Sequence, residues 1–346
     1  MPRALPRRLA VLATVLALIL SACGTAPSDR PSQTTPPPRT LLVDTDVAPD
    51  DLVALAFLLS APGVDVAAIT VSGTGEAHCA AGVGIVLGLL ERLDAPEIPV
   101  ACGRESPLAG NHAFPEAWRA GADGGSGLDL PDTERVPFDG NAIGLIAEVA
   151  AKTDGLSILT LGPLTNLAEA LLADPSLVER IGLLYVMGGA LHVAGNIQGP
   201  GAPTGNAVAE WNIYVDPRAA AIVVELGVEP RFVSLDGTNQ VPVTKAFAQR
   251  VASEATGPAA QILADLFAAN PFMTDGSYYL WDPLAAELAA GYEVGTFSPA
   301  TVSVEEAEGP ESGFTRPTDG SPNVQYLSDA DQASAEHTLL RILNGP

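Results

Sequence analysis

The chain has 346 residues, 47% of them hydrophobic, with 17 Lys and Arg against 41 Asp and Glu and a formal charge of −24. That length and apolar content suffice for one large α/β domain or two small ones. The charge argues against nucleic-acid partners, because phosphate contacts need clustered Lys and Arg and no run here is basic.

The chain opens on a targeting segment. Arg3, Arg7 and Arg8 precede an apolar run from Leu9 to Leu20, short for a membrane span but right for a signal-peptide core. Leu20-Ser21-Ala22-Cys23 then resembles a bacterial lipobox, which implies that residues 1–22 are removed and that Cys23 becomes the lipidated first residue of an exported protein, anchored to the outer face of a bacterial cell membrane. Three of the 17 basic residues and none of the 41 acids lie in the removed segment, so the formal charge moves from −24 to −27. Residues 23–39 are rich in Pro, Ser and Thr without apolar period and read as a tether. Strong acidity suits solubility outside the cytoplasm.

The stretch LLVDTDVAPDDLVALAFLLS, from Leu41 to Ser60, reads as strand, loop and helix: Thr40 to Val43 are extended, and from Asp50 the apolar residues recur at helical spacing. Asp44, Asp46, Asp50 and Asp51 sit at this junction. Asp44 and Asp46 share a face if the chain is still extended, and Asp50 and Asp51 fall where the helix dipole favours negative charge. Four acids in eight residues repel one another, which either raises their pKa values or requires a hard cation such as Ca²⁺ or Mg²⁺ between them.

Apolar runs at Val64–Val71, Ile98–Ala101, Leu156–Leu161, Ile181–Met187 and Arg231–Leu235 then alternate with helical patterns at Ala77–Leu93, Asn141–Lys152, Leu164–Ala173 and Pro217–Leu226. The alternation predicts an α/β fold, a single domain over residues 40–346 with a mainly parallel central sheet flanked by helices around a Rossmann-like core. Ligands of such sheets bind at the carboxyl ends of the strands, where the acids fall. Cys79 and Cys102 both lie near that edge; a disulfide or two separate buried thiols fit equally well.

Further motifs follow predicted strands: Leu161-Gly162-Pro163-Leu164-Thr165-Asn166, Met187-Gly188-Gly189-Ala190, Asn196, Glu210-Trp211-Asn212 and Tyr278-Tyr279-Leu280-Trp281-Asp282-Pro283. With the DxDxxxDD cluster, these in this order resemble the nucleoside hydrolases of the inosine–uridine preferring superfamily. The resemblance implies Ca²⁺-dependent hydrolysis of the N-glycosidic bond of ribonucleosides to free base and ribose, in the service of nucleoside salvage. It implies Ca²⁺ held by Asp46, Asp51 and Asp282 and by the Leu161 carbonyl. Asp46 would be the general base for the attacking water, whose pKa the metal lowers, and Asp50, Asn196, Glu210 and Asn212 would bind sugar oxygens. The partner is then a small-molecule nucleoside, with membrane contact through the lipid anchor only; homo-oligomerisation is left open. A different class is a catalytically weak, nucleoside-binding lipoprotein of an uptake system; Asp46 beside the metal ligands favours the enzyme.

The chain departs from the family pattern in places. Val47-Ala48-Pro49 stands where most members carry a Gly, and Thr74 replaces a frequent Asn. Trp281 stands where the pyrimidine-tolerant branch has the histidine that protonates the leaving base, and an indole cannot do this near neutral pH. The YYxWD pattern is that of the purine-specific, inosine–adenosine–guanosine preferring branch, which implies that Trp281 stacks on a purine base, with Trp118 as candidate for the opposite wall.

Overall fold

The computed structural model describes residues 1, 36–198, 201–203 and 205–345. Cys23, the lipobox and most of the tether lie outside them. The first half of the chain runs β1 (Arg39–Thr45), α1 (Pro49–Ser60), β2 (Val64–Val71), α2 (Cys79–Arg92), β3 (Val100–Cys102), α3 (Glu116–Asp123), α4 (Ala142–Lys152), β4 (Leu156–Thr160), α5 (Thr165–Ala173) and β5 (Ile181–Met187). It continues with α6 (Trp211–Val215), α7 (Pro217–Glu225), β6 (Arg231–Val233), α8 (Leu235–Thr238), α9 (Lys245–Glu254), α10 (Pro258–Ala269) and α11 (Trp281–Ala290). Four short strands follow, β7 (Gly295–Ala300), β8 (Val302–Val304), β9 (Thr315–Pro317) and β10 (Val324–Ala330), before the last helix, α12 (Gln332–Leu343).

Eight strands form one sheet in the order β3-β2-β1-β4-β5-β6-β10-β7. All neighbouring pairs are parallel except β10 with β7, which is antiparallel and forms the edge. This is the doubly wound arrangement expected of strand–helix alternation, with β8 and β9 as a separate small ribbon. The alternation within β1 shows why it forms: Leu41 and Val43 pack into the core beneath α1, α10, α11 and α12, while Leu42 packs into the opposite core beneath α4, α5 and α7. Both faces are thereby covered, and Thr35–Pro346 forms one compact unit.

The chain winds outward from β1 to β3, then returns to lay β4 on the other side of β1. Two adjacent parallel strands whose connections leave in opposite directions open a crevice at their carboxyl ends. β1 delivers Asp46 to this crevice and β4 delivers Leu161. Cys79 and Cys102 form a disulfide with Cα atoms 5.5 Å apart, joining the start of α2 to the end of β3 beside the same edge. By loop-closure entropy, a bridge across 23 residues contributes about 3 kcal/mol.

Candidate active site

The turn after β1 is held by the carboxylate of Asp51. Asp51 Oδ1 accepts from Thr45 Oγ1 and from Asp46 N (3.1 Å), and Oδ2 accepts from Ala48 N (3.2 Å), which caps α1 from its third position. Between them Val47 sits at φ +65°, in the left-handed region that favours Gly. A β-branched residue there costs on the order of 1–3 kcal/mol. The buried Val47 side chain and the Asp51 bonds hold the turn in place despite that cost.

Asp46 lies in a slot made by two glycines. A Cβ at Gly75 would fall 2.1 Å from the Asp46 Cβ, and one at Gly162 would fall 2.6 Å from it, so the loops after β2 and β4 can approach only without side chains. Asp46 Oδ2 accepts from Glu76 N at 3.2 Å. Asp50 Oδ1 accepts from the Tyr278 hydroxyl at 2.7 Å. Asp282 enters from the first turn of α11, with Pro283 behind it.

Asp50, Asp51 and Asp282 are buried, and each offers a ligand oxygen within 4.8 Å of the others. This grouping includes Asp50, expected on the sugar, and not Asp46, which borders it. Burial and the neighbouring Asp51 push Asp50 up to about 7. Burial also raises Asp46 and Asp282 well above the carboxylate range, reinforced by Asp51 and Glu76 for the first and by Asp50 and Asp51 for the second. Glu76 reaches about 8 through burial and the charges of Asp50 and Asp51, with Arg119 opposing the rise. Acids so placed repel one another, and a hard divalent cation among Asp50, Asp51 and Asp282 would supply the countercharge.

The remaining expected residues are placed less uniformly. Asn212 Nδ2 donates to the Leu161 carbonyl (2.7 Å) and to the Met187 carbonyl (3.1 Å), linking the ends of β4 and β5. Glu210 caps α6, accepting from Asn212 N, Ile213 N and Gly189 N, and burial raises it to about 7 despite these bonds. Asn196 Oδ1 accepts from Trp211 N. Thus all three gather at the same edge, with side chains that brace its loops. Asp44 belongs elsewhere: it accepts from Thr70 Oγ1 (2.6 Å) and Asn166 Nδ2 (2.7 Å), below the site. Thr74 joins a hydroxyl chain from Ser72 to Thr165, which donates to Asp216.

Trp281 packs edge-on to Tyr278 (4.6 Å between centroids) and against Tyr279 (5.6 Å), its indole N–H buried without a partner. Trp118 lies in α3 within a different aromatic group, 5.3 Å from Trp211 and 6.4 Å from Phe114. Trp118 and Trp281 thus each sit in an aromatic group of their own. Sequence reasoning missed Tyr278 and Glu76. Tyr278 lay within the motif Tyr278–Pro283, and an acid five residues after β2 was the available signal for Glu76.

A doubly wound sheet whose switch point gathers buried carboxylates around a place for a cation defines a metal-dependent α/β enzyme. The family model for inosine-uridine preferring nucleoside hydrolases matches residues 41–336, and the chain belongs to that family. It is 32% identical over 271 residues, 77% of this chain and 81% of the relative, to a protein named probable uridine nucleosidase 1 from Oryza sativa subsp. japonica. It superimposes on an inosine-uridine preferring nucleoside hydrolase from Bacillus anthracis with TM-score 0.79 at 27% identity, covering 88% of this chain and 99% of the other. A purine-preferring ribonucleoside hydrolase from Gardnerella vaginalis gives TM-score 0.75 at 27% identity, covering 88% and 98%. The protein is a ribonucleoside hydrolase: its chemistry is hydrolysis of the N-glycosidic bond, and its acidic cluster is that of a metal-dependent enzyme.

Proposed function

We propose that the protein is a Ca²⁺-dependent hydrolase of purine ribonucleosides that releases free base and ribose. The observation that carries this is the convergence of Asp50, Asp51 and Asp282 at the switch point, with Asp46 in its glycine slot beside them. Asp46, Asp51, Asp282 and the Leu161 carbonyl would hold the ion, with Asp50 alongside. When bound, Ca²⁺ lowers the pKa of the attacking water and orients the sugar hydroxyls.

Asp46 takes the proton of the water that attacks C1′, which it can do only when ionised; a cation among these acids restores that state by offsetting the burial and repulsion that raise it. Asp50, steadied by Tyr278, accepts from a sugar hydroxyl, and Asn196, Glu210 and Asn212 line the remaining sugar. Fixed carboxylates around the ribose stabilise the oxocarbenium-like charge of the transition state.

The purine preference rests on Trp281. With no histidine before Asp282, this position cannot protonate the leaving base, whereas a half-buried indole beside Tyr278 and Tyr279 offers a flat face to a large ring. Curated relatives are named for uridine or pyrimidines, and one solved relative is named for purines, so comparison of kcat/KM on the two classes is the test. Inosine is expected to exceed uridine in kcat/KM, and Trp281→Ala to lower kcat on inosine by roughly 10-fold, the cost of a stacking contact of about 1–1.5 kcal/mol, with Ca²⁺ still bound. Equal rates on the two nucleosides would overturn the preference, and an unaltered Trp281→Ala enzyme would remove the stack from the mechanism.

The enzyme acts, on this reading, outside the cytoplasm as a lipoprotein, because a basic and apolar leader ends at Leu20-Ser21-Ala22-Cys23. Mass spectrometry of membrane-fraction protein is expected to find acyl chains on Cys23. A Cys23→Ser variant that stays anchored and is cleaved as before would contradict the anchor.

A further inference from the structure

We propose that the Cys79–Cys102 disulfide positions the general base: it fixes the far end of the loop that encloses Asp46, so that turnover falls when the bond is reduced and returns when it re-forms. The inference rests on the ribonucleoside-hydrolase reading with Asp46 as base, and adds to it the bond that keeps Asp46 in place.

Residues 72–78, between β2 and α2, contain no helix or strand and wrap around Asp46. Ser72 N donates to the Thr45 carbonyl at 2.8 Å, Glu76 N to Asp46 Oδ2 at 3.2 Å and Ala77 N to the Asp46 carbonyl at 2.9 Å. Gly75 closes on the same side chain, since a Cβ there would lie 2.1 Å from that of Asp46. The loop grips the base with its backbone, so the path of the loop sets where the carboxylate points.

The two ends of this path are secured differently. At its start, Ser72 Oγ donates to the Pro163 carbonyl and Arg119 Nη2 donates to the Gly73 carbonyl, both among buried residues. At its end, two residues past Ala77, stands Cys79, bonded to Cys102 on β3. The first turn of α2 has little apolar grip of its own: Cys79 and Ala81 are half-buried, Ala80 is exposed, and apart from Gly82 burial begins at Ile85. The other ties there, His78 with Asp123 and Cys79 N with Glu105 Oε1, reach solvent, where such contacts contribute little. The sulfur also backs the start of the loop, since a Cβ at Gly73 would fall 2.7 Å from Cys79 Sγ.

Breaking the bond therefore frees the end of the loop while the start stays held, and segments with few buried contacts open locally. A shift on the order of 1 Å in a catalytic group can cost about 100-fold in rate. Asp50 and Asp51 have supports outside this loop, on Tyr278 and on Thr45 and Ala48, so the effect falls on the base. Both cysteines are half-buried, within reach of a thiolate. A dithiol attacks one Sγ and displaces the other. Its second thiolate then displaces the attacked sulfur, leaving two cysteine thiols, which take the reductant's two protons, and a cyclic disulfide. Disulfides are rare in the cytoplasm and persist outside it, so the bond ties full turnover to the exported location read from the leader.

The test takes the purified protein, with Ca²⁺ saturating, before and after reduction by dithiothreitol, with thiol titration to show that the bond has opened. Reduction is expected to lower kcat on inosine by about 10-fold or more with KM changed less than about 2-fold, and reoxidation to restore it. Hydrogen exchange is expected to quicken at the amides of Glu76 and Ala77, and not at those of β4. In Asp46→Asn the residual kcat is expected to change by less than about 2-fold on reduction, because the group being positioned is already lost; a bond that served stability alone would lower it as in wild type. Gly73→Ala, which sets the loop against Cys79 Sγ with the bond intact, is expected to show the same loss of kcat and the same exchange, and it serves if the reduced protein does not stay folded. Unaltered kcat in folded, fully reduced wild type, or an equal loss in Asp46→Asn, overturns the proposal. Unchanged exchange at Glu76 and Ala77 overturns it with the hydrolase reading intact. Wild-type protein inert on inosine in both states overturns that reading itself, and with it the positioned base.

Discussion

Asp46→Asn is expected to lower kcat on inosine by about 1000-fold, or ~4 kcal/mol in the barrier, with a much smaller change in KM. The substitution is nearly isosteric, which matters in a slot where Gly75 and Gly162 leave no spare room around the Asp46 side chain. The amide can still accept from Glu76 N through its oxygen, so the loop after β2 keeps its anchor. What it cannot do is take a proton from water. Because Asp46 is also assigned to the ion, the assay requires saturating Ca²⁺, so that weakened metal binding and lost proton transfer are separated. A folded, Ca²⁺-bound Asp46→Asn enzyme within 10-fold of wild type would show that another group is the base.

Asp51→Ala is expected to abolish both Ca²⁺ binding and the thermal stabilisation that Ca²⁺ confers. Asp51 is the centre of the acidic cluster and also the acceptor for Thr45, Asp46 N and Ala48 N, so its loss removes a ligand and leaves three donors unmet. Unmet buried donors alone cost about 1–3 kcal/mol each, offset where water reaches them. A ligand that binds only the folded state stabilises wild type by about 2.7 kcal/mol at a concentration 100 times its Kd. Melting curves with and without Ca²⁺ therefore distinguish the two effects: wild type should gain, and Asp51→Ala should start lower and gain nothing. An equal Ca²⁺-induced rise in both would place the ion elsewhere.

Much of the amino-terminal half was legible because its strands and most of its helices have a clean apolar pattern; α3, with only Arg119 and Ala122 buried, was not foreseen. β2 and β5 have the bounds expected from their runs, and the helices after β1, β2 and β4 follow from their periodicity. The carboxyl-terminal half offered less. β7 contains Gly295 and Pro299 and is only partly buried, as an antiparallel edge strand tolerates, so it carries no apolar run to read. The short β8–β9 ribbon and the four-residue α8 are below the length at which periodicity speaks.

The site divides in the same way. DxDxxxDD announced an acidic centre, and the YYxWD motif supplied Asp282, which joins it. Grouping Asp44 with Asp46 failed because β1 ends at Thr45: beyond it the chain turns, leaving Asp44 to Thr70 and Asn166 while Asp46 enters the crevice. The packing of Trp118, the candidate wall opposite Trp281, on Trp211 is a tertiary fact with no local signature. The Cys79–Cys102 pairing, open from spacing, was decided by the register of β2 with β3, which brings the start of α2 to the end of the edge strand.

The most direct measurement is release of ribose and free base from inosine by the purified protein, first stripped with chelator and then reconstituted with Ca²⁺. The expected result is release of the two products in equal amounts, abolished by stripping and restored by Ca²⁺. Undiminished turnover by protein shown to be metal-free, or no turnover after reconstitution, would contradict a reaction built on Asp46 and the acids around it.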